Sequence, residues 1–148
     1  RYPDDKILTK TMINNYAKNH LLPAPDKKKY SKEHLLLLIY IYYYKSILSI
    51  GDIQSLLEPL TQRYFHKDGE MNMQSIYEEV FSLEKEQVEK MKQDVTEKYE
   101  TASRIFPEAE AEDQEFLRIF SFICLLSFDV YVKKQVIEKL IDELPKKS

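Results

Sequence analysis

"MINNYAKNHLLPAPDKKKYS", residues Met12–Ser31, decides how this chain folds. Met12, Ile13 and Tyr16 recur at helical spacing, and Thr9 just ahead of them can cap a helix. That helix runs from Lys10 to about His20, with Leu21 and Leu22 closing its inner side. It stops before Pro23, because a proline pushes the residue ahead of it out of helical conformation. Asn14, Asn15, Lys18 and Asn19 take the outer faces. A loop from Pro23 to Lys29 then gathers Lys27, Lys28 and Lys29 beside Tyr30.

Outward from this stretch, Ser31 opens a second helix with Lys32, Glu33 and His34 in its first turn. The run "LLLLIYIYYYKSIL" (Leu35–Leu48) is too long for an ordinary strand, so it reads as a helix buried on most sides. Lys45 interrupts it well short of the roughly 20 apolar residues a membrane span needs. Tyr40, Tyr42, Tyr43 and Tyr44 point in different directions on such a helix, and core packing is their expected role. "SIGD" (Ser49–Asp52) reads as a capping box, so a third helix covers about 51–64 with Pro59 inside it.

"HKDGE" (His66–Glu70) is a turn and the expected boundary between two domains, 1–65 and 66–148. Beyond it, Gln74 to about Ile105 reads as one long helix. Phe81, Val88, Val95 and Ala102 recur in it at heptad spacing. Pro107 and the acidic "EAEAEDQE" (Glu108–Glu115) lead into a last helix that reaches about Leu144. Two long helices with a short connector form a hairpin. Phe116, Phe120, Ile123, Phe128 and Tyr131 spread apolar surface around the last helix, which therefore needs partners on several sides. A homodimer through this helix is the expected association. Arg118 and Asp129 inside the same run argue against a membrane span.

The fold class is all-α. Only two of 148 residues are glycine, too few for sheet turns or nucleotide-binding loops. Cys124, the single cysteine, lies in an apolar run and reads as an inert buried thiol in a reducing, cytoplasmic setting. His20, His34 and His66 are scattered, and no nucleophile–base set or metal-ligand spacing emerges. The expectation is therefore a protein without catalytic residues, cofactor or metal. Charge is unevenly placed. Residues 1–63 hold ten Lys/Arg against six Asp/Glu, a balance of +4, and residues 64–148 hold twelve against nineteen, a balance of −7. The front half is built to meet something anionic.

Thr9, Tyr16, "HLLPAP" (His20–Pro25), "KKKYSKEHL" (Lys27–Leu35) and "ILSIGDIQSLL" (Ile47–Leu57) follow one another in a familiar order. Residues 9–57 resemble the DNA-binding half of MerR-type regulators, which have a capped helix, a Leu-Leu-Pro turn, a basic wing ending in Tyr-Ser, and a leucine-rich helix. The whole chain resembles an uncharacterised bacterial domain-of-unknown-function family with a MerR-like front half. The resemblance implies a winged helix-turn-helix whose first helix is missing or lies upstream of Arg1, which is no initiator methionine. It also implies a regulator of transcription that binds double-stranded DNA and takes a small-molecule effector. The DNA contacts it implies are Lys10, Thr11, Asn14, Asn15, Tyr16 and Lys18 on the recognition helix and Lys27, Lys28, Lys29 and Tyr30 on the wing. Asn14 stands where the family has arginine, the wing is shorter, and its arginines have become lysines. The alternative from another class is a helical protein-interaction or small-ligand module that has lost DNA binding.

Overall fold

Hydroxyl caps start the first three helices, as their sequence positions dictate. The computed structural model describes residues 9–145. Thr9 Oγ1 accepts the Met12 N–H at 3.1 Å and opens α1 (Lys10–Lys18). Ser31 opens α2 (Lys32–Tyr44), and Ser49 Oγ accepts the Asp52 N–H at 3.1 Å to open α3 (Ile50–Tyr64), which contains Pro59. Asn72 and Ser75 cap each other ahead of α4 (Met73–Ser82), with both N–H···O contacts at 2.9 Å. The chain continues through α5 (Glu84–Ser103) and α6 (Ala111–Asp142).

α1 ends two residues earlier than its sequence pattern implies. The Leu21 and Leu22 N–H groups both turn back to the Tyr16 carbonyl, at 2.9 and 3.2 Å. His20 takes a left-handed φ of 62° to allow this, and both leucines drop into the core. The leucine-rich α2 is covered on most sides, as expected. Leu36, Leu37 and Leu38 form one buried cluster with Leu22, Phe65 and Met73, against which Ile13, Tyr16, Leu60, Tyr64 and Tyr77 pack. The tyrosines of α2 divide, against the expectation that all four pack inside. Tyr40 is buried and stacks on half-buried Tyr44, whereas Tyr42 and Tyr43 are exposed. Adjacent positions on a helix point about 100° apart, so four tyrosines within five residues cannot share one core.

The chain divides into two compact units: residues up to Val80 together with those from Glu138 onward, and Phe81–Ile137. The first unit runs past the turn at His66–Glu70, because Met73 and Tyr77 of α4 pack into the same cluster as Leu37. The helix expected over 74–105 is two helices, interrupted at exposed Leu83. In the second unit α5 and α6 meet through Tyr99 and Phe122, edge to face at 5.5 Å. Lys98 pairs with Asp94 on its own helix and approaches Asp129 of α6 at 3.9 Å. Among the described residues, no helix is long and apolar enough to cross a membrane.

Burial raises the Tyr16, Tyr40 and Tyr44 hydroxyls above their ordinary 10.0. A hydrogen bond to Asp94 raises the Lys98 ammonium above 10.5. In every case the folded chain holds the proton more tightly than the unfolded chain. Stability is thus fully present below about pH 10 and is lost as pH climbs through the raised values. Chemical denaturation at pH 8 and pH 11 tests this, with a lower midpoint expected at pH 11. Tyr40→Phe with Tyr44→Phe is expected to shrink the difference. Leu37→Ala, emptying a fully buried site, is expected to lower stability by about 2–5 kcal/mol at either pH.

Candidate nucleic-acid interface

The lysine loop is clasped at both ends by one imidazole. His34, 1% exposed, has Nε2 3.0 Å from the Pro23 carbonyl and Nδ1 3.0 Å from the Ser31 backbone nitrogen. A carbonyl only accepts, so Nε2 carries the hydrogen and Nδ1 accepts the Ser31 N–H. Ser31 Oγ in turn accepts the His34 N–H at 3.3 Å, closing a reciprocal cap on α2. The ring lies edge-on to Tyr30 at 5.2 Å and to Phe65 at 5.0 Å. Glu33 accepts the N–H of His66, the residue after Phe65, at 2.8 Å. Pro23, the start of α2 and the end of α3 thus meet around His34.

Between the clasped ends the chain makes a tight turn. The Lys29 N–H reaches the Asp26 carbonyl at 2.8 Å, and Asp26 and Lys29 form an isolated antiparallel bridge. Lys27 and Lys28 occupy its two central positions with φ of 48° and 66°. Successive left-handed residues are what a type I′ turn requires, and Asn-Gly is the pair that adopts them with least strain. Each lysine held there costs on the order of 1 kcal/mol. The expected wing is therefore reduced to this single turn. Among the described residues there is no strand to extend it.

Of the residues expected to meet DNA, Lys10, Thr11, Asn14, Asn15 and Lys18 are exposed along α1. Lys10, Asn14 and Lys18 follow one another at four-residue spacing and share a face. Lys27, Lys28, Lys29 and Tyr30 are exposed together on the turn. Tyr16 is different: it is half-buried against the core cluster, where it anchors α1. A cleft of about 360 Å³ lies between the end of α1 and α3, floored by Leu21, Leu22 and Leu57 and rimmed by His20, Gln54 and Glu58. Among the described residues, no group of three or more His, Cys, Asp or Glu is arranged to hold a metal.

His34 escaped the sequence reading as a structural residue. Its signal was present in "SKEH" (Ser31–His34), where histidine fills the position that glutamate or glutamine takes in a capping box.

The first unit is an all-helical domain with an exposed polar helix beside a basic turn. A family model described as a domain of unknown function, DUF1836, matches residues 1–80, and the chain belongs to that family. The match ends at the residue where the first compact unit passes into the second. No curated protein and no solved structure matches the chain.

His34→Ala removes the cap and the Pro23 contact together and is expected to lower stability by about 2–4 kcal/mol. His34→Gln retains an acceptor for the Ser31 N–H, and an intermediate loss is expected. Thermal melts of the two variants beside the parent check the order. Equal losses would remove the capping contribution.

Proposed function

We propose that the first unit binds double-stranded DNA and that the protein is a non-enzymatic transcriptional regulator. The observation that carries this reading is the strained turn. A loop whose only task was solubility would relax if Asn and Gly stood at its centre, yet Lys27 and Lys28 hold the left-handed positions. Two ammonium groups on a rigid tip suit the phosphate backbone, which needs charge in a fixed place. The polar face of α1 supplies the complementary part. Asn14 and Asn15 are each able to pair with adenine through two hydrogen bonds, and Lys10 and Lys18 flank them. In this reading α1 is the recognition helix of a MerR-like helix-turn-helix and the lysine turn stands in for the wing. Tyr16 and His34 position these elements without touching DNA. The reading sets the protein in the cytoplasm, where a bacterial chromosome lies.

The cleft between the end of α1 and α3 favours a second reading, in which the unit binds a small molecule. A ligand seated against His20 and Leu21 would press on the end of α1, so the same cleft also suits an effector of DNA binding. The expected wing arginines are lysines here, which lack the planar fork that reads guanine. Affinity should therefore depend more on salt than on guanine content.

Fluorescence anisotropy of the full chain with genomic DNA fragments tests the proposal. Binding that weakens about a hundredfold between 50 and 200 mM salt is expected for roughly four phosphate contacts. Lys27→Asn with Lys28→Gly is expected to raise stability by about 1–2 kcal/mol while weakening DNA binding. That opposition of stability and affinity is the signature of lysines kept for contact. If the more stable variant binds as well as the parent, the turn is not a DNA contact.

A further inference from the structure

We propose that two copies of this chain pair through α6, antiparallel, with the helices crossing near Ile123. This pairing is independent of the DNA reading. The second unit, taken alone, has almost no core. Ala102 and Ser121 are its only buried side chains among the described residues, and neither carries much apolar surface. Its large apolar groups lie outside instead. Phe116, Phe120, Ile123, Ser127 and Val130 follow one another at alternating spacings of four and three residues and form one stripe along α6, all of them exposed. Phe116 is 65% exposed and Val130 60%. A stripe of this length on a soluble helix calls for a cover of the same kind.

The composition of the stripe identifies the cover and its direction. Asp113 bounds it at one end and Lys134 at the other, both exposed and both continuing the same spacing. Ile123 lies midway between them. Antiparallel pairing about this point sets Asp113 of each copy against Lys134 of its partner. It also sets each Phe120 against the small Ser127 of the partner, and Phe116 against the region of Val130. Parallel pairing would instead join Asp113 to Asp113, Lys134 to Lys134, and Phe120 to Phe120, with a gap between the two serines. Opposite charges across an interface favour one orientation and like charges disfavour the other. The neighbouring residues extend the match: Glu112 and Glu115 flank the acidic end and Lys133 the basic end. Over these positions α6 is about 30 Å long, enough for two helices to cover each other's stripe.

Sedimentation of the full chain over about 1–100 µM, at low salt, reads the association directly. A dimer is expected for the parent, and Ile123→Glu is expected to give a monomer of unchanged helical content by circular dichroism. Asp113→Lys alone and Lys134→Asp alone are each expected to weaken pairing about tenfold. The two changes combined are expected to restore it to within about threefold of the parent. In a parallel dimer neither single reversal would matter, because like charge already faces like. A monomer at every concentration overturns the proposal and leaves the stripe to the chain's other unit or to a different protein. So does a dimer that ignores Ile123→Glu, or one that neither single charge reversal weakens.

Discussion

The first unit depends on a single imidazole buried away from solvent. His34 is enclosed, and both of its nitrogens are committed to the backbone, one to the Pro23 carbonyl and one to the Ser31 N–H. A buried polar ring left without those partners would be destabilising by several kcal/mol at most sites, so the two contacts stand or fall together. They fix the two ends of the segment that carries the lysines. Upstream, the Leu21 and Leu22 N–H groups return to the Tyr16 carbonyl, so the same anchoring reaches α1 through its last turn. The positions of the polar helix and of the basic turn are therefore tied to one side chain buried away from solvent.

This arrangement explains how a strained turn persists. Lys27 and Lys28 sit in a region of backbone space that favours glycine and asparagine, and a free loop would leave it. Here the loop is short, its ends are pinned at Pro23 and Ser31, and the Asp26–Lys29 bridge closes it. Few other conformations span the same two anchors. The stability of the leucine cluster beneath, reached through His34 and Phe65, supplies what the turn consumes.

Much of this was legible because it is local. Thr9, Ser31 and Ser49 mark helix starts by what a hydroxyl can accept from an N–H three residues on, and the structure agrees at all three. The leucine run of α2 declared a buried helix by its length and composition. What was not legible depended on distant groups. The break at Leu83 divides α4, whose Met73 and Tyr77 belong to the core of the first unit, from α5, and that membership is a tertiary fact with no local signal. The partner of His34 is a main-chain carbonyl eleven residues away, which no pattern of side chains announces. The left-handed lysines are hidden for the opposite reason: the residues that normally betray such a turn are absent from it.

Charge is unevenly placed along the chain, and that constrains what each part can do. The positive balance sits over residues 1–63 and the negative balance over residues 64–148. By compact unit the balance is +1 for residues 1–80 with 138–148 and −4 for 81–137, so a polyanion is repelled by the second unit and favoured in the first where lysines cluster, as at Lys27–Lys29. The apolar stripe of α6 lies within the acidic part, between Asp113 and Lys134, where nucleic acid is the least suitable cover. The exposed stripe of α6 thus lies in the part of the chain where a polyanion is least favoured.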